Sequence, residues 1–232
     1  MSYQKSDPPD FWEDPEVVER FATRAPDQRL LTLLGDYDDP SVVRVLDIGC
    51  AGGRNTVLLA EAGFDVHALD SSTAMVAETR RRVAGVLGGG GGEAKTRVKI
   101  GRMDELTGLG DDTFDLVVSL GVLHSARSWS EWKRAAAETA RVLRSGGRLL
   151  LSQFTPETDL TGSGVQPVAS EQHVYEGLPG GRAVLLDPAT LDAELASFGF
   201  EPEVPTTIGR TTTGETRRVS ANGLYRATGS GL

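Results

Sequence analysis

The chain has a single cysteine, Cys50, among its 232 residues, so an intrachain disulfide and any multi-cysteine metal site are impossible. Histidine is nearly as scarce. His67, His124 and His173 are the only three, too scattered for a local metal motif, and nothing in the spacing of the carboxylates asks for a cation. No metal is expected. Positive charge is also in deficit: 24 Lys and Arg face 33 Asp and Glu, a formal charge of -9, which opposes docking on the phosphates of DNA or RNA. No apolar run approaches the roughly 20 residues of a membrane span. The opening MSYQKSDPPDFWED lacks the basic and apolar regions of a signal peptide. These absences predict a cytoplasmic protein that binds neither nucleic acid nor membrane.

What is present is a folded α/β pattern. Apolar residues make up 39% and charged residues 25%, and the length suits one domain with a buried sheet. Phe11 to Leu34 carries apolar residues at helical intervals broken by Pro26, which predicts two short helices. Val42–Ile48 reads as a strand, the glycines at 49, 52 and 53 as a tight loop, and Thr56–Ala62 as a helix stopped by Gly63. Phe64–Leu69 supplies a second strand ending at Asp70, after which Ser71 or Ser72 can cap a helix over Thr73–Leu87. Five consecutive glycines, Gly88 to Gly92, predict a mobile connector. Strands follow at Arg97–Ile100 and Phe114–Leu120, the latter apolar enough for the sheet centre. A helix carrying Trp132, Ala136, Thr139, Ala140 and Leu143 is expected to end at Gly146 and Gly147, before a strand over Arg148–Phe154. Thr155 to Leu186 shows little periodicity. Asp187 and Pro188 then signal a helix start, and Thr211 to Thr216 a hairpin around Gly214. Strands alternating with helices argue for a mostly parallel sheet covered on both faces, with ligands bound beyond the carboxyl ends of the first, second and fourth strands.

The glycine turn in VLDIGCAGGRN, Val45 to Asn55, is where a backbone can approach a ligand closely. A dinucleotide fingerprint counted from Gly49 would need glycines where Ala51 and Arg54 stand, so it fails. Asp47, two residues before the turn, would repel a pyrophosphate but suits a cofactor bearing an ammonium group, as S-adenosylmethionine does. Asp70, 21 residues after Gly49, stands where a carboxylate can accept hydrogen bonds from two ribose hydroxyls. Each carboxylate alone also suits a structural role, in loop amides for Asp47 and as a helix cap for Asp70.

At these residues the chain resembles the class I S-adenosylmethionine-dependent methyltransferases. Asp47, Gly49, Ala51 and Gly53 look like the family's acidic-x-Gly-x-Gly-x-Gly motif, with Ala51 in place of the middle glycine. DDTFDLVVSLGVLH, Asp111 to His124, and RVLRSGGRLLLSQF, Arg141 to Phe154, are similar to its fourth and fifth strands. The run GRNTVLLAEAGFDVHALD also resembles tellurite and thiol methyltransferases. The resemblance implies a Rossmann-like, doubly wound, seven-stranded sheet, mostly parallel with an antiparallel carboxy-terminal strand and helices on both faces. It implies a cofactor-binding core over residues 40–154, an amino-terminal helical cap or lid over 1–39, a substrate-side insert over 155–186, and a helix and strands over 187–232 completing the same domain.

S-adenosylmethionine is then the expected cofactor and a small molecule with an O, N or S acceptor the expected substrate. Contacts to the cofactor are expected from Asp47, Gly49, Cys50, Ala51 and Gly53 in the first loop, and from Asp70, Ser71 and Met75 after the second strand. Leu120 is expected at the end of the fourth strand. Arg102 occupies the family's usual acidic position after the third strand, so Met103 is expected over the adenine and Asp104 at its amino group. His124, with an ordinary pKa near ~6.5, is the candidate general base, although a loop histidine without a chemical role fits the sequence equally well. Phe11, Trp12 and Phe21 fit either core or lid, and Arg24 and Arg54 fit solvated surface better than cofactor carboxylate. Other readings are a non-catalytic S-adenosylmethionine-binding or regulatory subunit, a nicotinamide oxidoreductase disfavoured by Asp47 and the broken fingerprint, and aminopropyl transfer.

Overall fold

The computed structural model describes residues 8–88 and 91–229, with side chains from 11 onward. Gly89 and Gly90, in the expected mobile connector, lie outside the described residues. In chain order the helices and strands are α1 (Pro8–Glu13), α2 (Pro15–Ala22), α3 (Gln28–Leu34), β1 (Arg44–Ile48), α4 (Arg54–Glu61), β2 (Asp65–Asp70), α5 (Thr73–Leu87), α6 (Gly92–Arg97), β3 (Val98–Ile100) and β4 (Phe114–Leu120). They continue with α7 (Trp129–Val142), β5 (Leu143–Phe154), β6 (Gln166–Pro167), β7 (Val174–Leu178), β8 (Gly181–Val184), α8 (Pro188–Ala196), β9 (Phe200–Pro202), β10 (Thr207–Thr213) and β11 (Thr216–Ala227). None of the described helices is long and apolar enough to cross a membrane. The chain divides into two compact units, Met1–Val43 with Cys50–Gly101 and Arg44–Gly49 with Arg102–Leu232.

In the first unit β2 and β3 pair in parallel, Asp70 opposite Ile100. Val76 and Val83 of α5 pack with Ala68, Val98, Ala94 and Cys50, all buried. Helix starts follow local chemistry. Asp14 accepts the amides of Glu16 and Val17 ahead of Pro15, Asp27 accepts that of Arg29, and Ser72 accepts that of Met75. Two caps in the first 30 residues therefore open α2 and α3, and with α1 the segment holds three helices where two were expected. α6 was not legible, and it shortens the third strand by taking Arg97 as its last residue.

In the second unit β1, β4 and β5 run parallel, and β11 pairs antiparallel with β5, β10 and β9. Leu116, Val117 and Val118 of β4 are fully buried, as its unbroken apolar run predicts. The fold class is the expected α/β, mostly parallel. The larger sheet has eight strands in the described residues against the seven expected, three-residue β9 being the addition. α7 ends at Val142, ahead of the glycines expected to stop it. Gly146, at φ 76, and Gly147 instead shape the irregular start of β5, where a Cβ on Gly147 would stand 2.8 Å from the Arg144 carbonyl oxygen. Residues 155–186 are not structureless: β6, β7 and β8 form an antiparallel sheet of their own. Val174, Ala183 and Val184 are its buried residues. Strands this short leave no readable period.

Candidate functional site

In the first unit the loop Cys50–Gly53 is held from several sides. Cys50 N–H donates to the Leu69 carbonyl at 3.0 Å and Gly53 N–H to the Cys50 carbonyl at 2.9 Å. Thr79 Oγ1 donates to the Ala51 carbonyl at 2.6 Å, while one Arg82 nitrogen donates to the carbonyls of both Ala22 and Gly52 at 2.7 Å. A Cβ on Gly52 would lie 2.6 Å from the Ala22 backbone nitrogen, so only glycine lets α2 end so close. Ala51, the residue that departs from the glycine pattern, adopts φ 48, a left-handed conformation that costs an L-residue about 1–2 kcal/mol.

Asp70 closes this arrangement. Its Oδ2 accepts the Ala51 amide and its Oδ1 the Ser72 amide, each at 2.9 Å. Burial raises its carboxyl above the ordinary value, and the negative charge of Glu13 adds to the rise, while the amides of Ser72, Ala51 and Ser71 act against it. Each oxygen keeps a lone pair for a further donor. Ser71 is exposed, whereas Met75 and Cys50 are core residues with 0% and 4% exposure. Two of the expected contact residues thus offer a ligand little more than backbone.

The amino-terminal segment reaches the same place. Glu13 accepts the Thr73 amide at 2.9 Å and the Ala74 amide at 3.0 Å, and Ser72 Oγ donates to the Trp12 carbonyl at 2.9 Å. The exposed ring of Trp12 packs edge-on to Phe11 and Phe21, with Arg24 4.2 Å over Phe21. Arg54 donates to the Ala25 carbonyl. The sequence offered no sign of Glu13, Thr79 or Arg82, because each acts on backbone 28 or more residues away.

In the second unit Asp47 is buried, 2% exposed, on β1 opposite Val118. Gly49 has φ 69, and a Cβ there would stand 2.4 Å from Val122 Cγ2. Met103 is half-buried, as is Leu120 at the end of β4. Asp104 is buried, and both its oxygens are engaged: Oδ1 by Arg102 and Oδ2 by Arg134, each at 2.9 Å. Arg102 also pairs with Glu131 at 2.8 Å. An arginine in the family's acidic position is therefore neutralised locally by Asp104 and Glu131.

His124 sits in the short turn Leu123–Ser125, its ring stacked on Phe154 at 4.0 Å between centroids. Its Nδ1 is buried and has no hydrogen-bond partner among the described residues. Burial pushes the imidazole down to about 4, with the nearby positive charge of Arg218 contributing. The ordinary value assumed from sequence is corrected by this environment: the ring is neutral at pH 7 and a weak base. Phe154, the last residue of β5, was not singled out in the sequence.

A family described as a methyltransferase domain matches residues 46–151. The demethylmenaquinone methyltransferase of Clavibacter sepedonicus is 31% identical over 172 residues, 68% of this chain and 65% of that protein. The chain thus spans less than two thirds of that relative. Among solved structures, the CcbJ methyltransferase from Streptomyces caelestis aligns with a TM-score of 0.63 at 20% identity, covering 98% of this chain and 100% of that one. The 1,6-didemethyltoxoflavin-N1-methyltransferase of Burkholderia thailandensis, solved with 1,6-didemethyltoxoflavin and S-adenosylhomocysteine, aligns at 0.59 and 21% identity over 95% of this chain and 82% of that one. These likenesses establish the Rossmann-like fold. The methyltransferase-domain match covers residues 46–151, a little under half of the chain, in line with the resemblance to class I S-adenosylmethionine-dependent methyltransferases read from the sequence.

Proposed function

We propose that this chain transfers the methyl group of S-adenosylmethionine to a small molecule, giving S-adenosylhomocysteine. The observation that carries the reading is Asp70: a half-buried carboxylate at the end of β2, fixed by the amides of Ala51 and Ser72, with acceptor capacity to spare. Such a group fits the paired hydroxyls of a ribose and disfavours a phosphate. Asp47, Gly49, Cys50, Ala51 and Gly53, continuous along the chain, would hold the amino-acid end of the cofactor. Ser71, Met75, Met103, Asp104 and Leu120 complete the proposed contacts. Relatives named for acting on demethylmenaquinone and on 1,6-didemethyltoxoflavin support a small acceptor; that its nucleophile is O, N or S is part of the proposal.

Bound, the cofactor supplies a methyl group already activated on a sulfonium. The chain's task is to align the acceptor, exclude water and place any departing proton, and positioning alone is worth about 7–11 kcal/mol. A neutral His124 suits holding an acceptor by a hydrogen bond better than storing its proton. The amino-terminal segment would act as a cap, since Trp12 and Glu13 are tied to residues 72–74, and residues 155–186 as the substrate-side insert. The charge of -9 supports a reading without nucleic acid; a monomer or homodimer in the cytoplasm completes it.

Calorimetric titration with S-adenosylhomocysteine and, separately, NAD tests the binding half, and transfer of labelled methyl to a panel of phenols, amines and thiols tests the chemistry. Heat with the first ligand and labelled product are expected. Heat with NAD alone would refute the proposal, and binding without transfer to any acceptor would favour a regulatory subunit.

A further inference from the structure

We propose that Arg218, on the same sheet face as Phe154, whose ring stacks on His124, forms a subsite for a carboxylate carried by the methyl acceptor, an inference that rests on the methyl-transfer reading. β11 runs antiparallel to β5 with Ser220 opposite Phe154 and Asn222 opposite Ser152, so the start of β11 lies beside the carboxyl end of β5, where sheets of this kind bind ligands. Alternation along the strands puts Arg218, Ser220 and Asn222 on one face with Phe154 and Ser152, while Val219 and Ala221 are buried on the other.

That face is polar and nearly satisfied within itself. Ser152 Oγ and Ser220 Oγ donate to Asn222 Oδ1 at 2.9 and 3.2 Å, and Asn222 Nδ2 donates to the Ser220 carbonyl at 3.3 Å. Two groups there have no hydrogen-bond partner among the described residues. One is the buried Nδ1 of His124. The other is the exposed Arg218 guanidinium, which has no hydrogen bond or ion pair among the described residues. Its neighbours differ. Arg210 pairs with the Glu157 carboxylate at 3.1 Å, and Arg217 donates to the Glu157 carbonyl at 3.0 Å. A guanidinium without a protein partner among the described residues, on the face that carries Phe154 at a strand end, matches a ligand with one negative charge. The planar fork of arginine binds a carboxylate through two parallel hydrogen bonds, and a single cation suits a monoanion better than a phosphate dianion.

The test uses benzoate, benzamide and inorganic phosphate as probes of the full chain, read from the His124 Hε1 resonance, assigned by its loss in His124→Phe. Benzoate is expected to shift the signal saturably and to bind about tenfold more tightly than benzamide. Arg218→Gln should lose that preference, and Arg218→Lys should keep part of it. Equal responses to benzoate and benzamide, an Arg218→Gln response equal to wild type, or tighter saturation by phosphate would each overturn the proposal. S-adenosylhomocysteine titrated in parallel should give the same heat for wild type and Arg218→Gln. Absence of heat in wild type would count against the methyl-transfer reading, whatever benzoate does.

Discussion

His124 makes the stability of the chain depend on pH in a calculable way. Its pKa falls from 6.5 to about 4 on folding, chiefly through burial and further through Arg218. Between those values the unfolded chain binds a proton that the folded chain does not, so stability rises with pH. The contribution is complete above the unfolded value and is lost as pH falls toward the folded one. Integrating the linkage from about pH 7.5 to about pH 5 assigns roughly 2 kcal/mol of lost stability to this one ring. His124→Phe keeps an aromatic ring against Phe154 and removes the titration. Urea unfolding of wild type and variant at several pH values between these limits isolates the contribution, because every other titrating group appears in both curves. The variant is expected to lose about 2 kcal/mol less than wild type over the interval. Parallel curves would refute the argument and show that water reaches the ring freely.

Asp70→Ala should weaken S-adenosylhomocysteine binding by about 1.5–3 kcal/mol, measured by calorimetry, if two hydroxyls bond the carboxylate. Because burial raises the Asp70 carboxyl, wild-type affinity should begin to fall on acidification above the ordinary carboxylate range, and Asp70→Asn should remove that dependence. Gly49→Ala places a methyl group against Val122 at a φ of 69 and should destabilise by roughly 1–3 kcal/mol in a denaturant series; Val122→Ala in the same chain should recover part of the loss. Ala51→Gly relieves a left-handed alanine at φ 48 and should raise thermal stability by about 1 kcal/mol, visible as a higher melting temperature.

The sequence disclosed whatever was coded locally. β4 is the expected strand residue for residue, α5 spans the expected Thr73–Leu87, and Asp187 caps α8 through the Thr190 amide. Asp70 falls at the end of β2 because a strand, a turn and a helix each have their own period. Features made by distant partners stayed hidden. Glu13 caps α5 across 60 residues, and Arg82 bonds a loop 30 residues away. No neighbour in sequence announces either. Gly146 and Gly147 misled for a different reason: the positive φ of Gly146 serves a helix stop and a bulge equally well, and the close packing at Gly147 decides between them.

Glu13 and Trp12 bring a practical consequence for anyone preparing this protein. Trimming the chain to begin at Asp14 would strip the first turn of α5 of the carboxylate that receives two of its amides. Two preparations that differ only in residues 1–13 would then present different helix starts beside Asp70, and affinities measured on them would not be interchangeable.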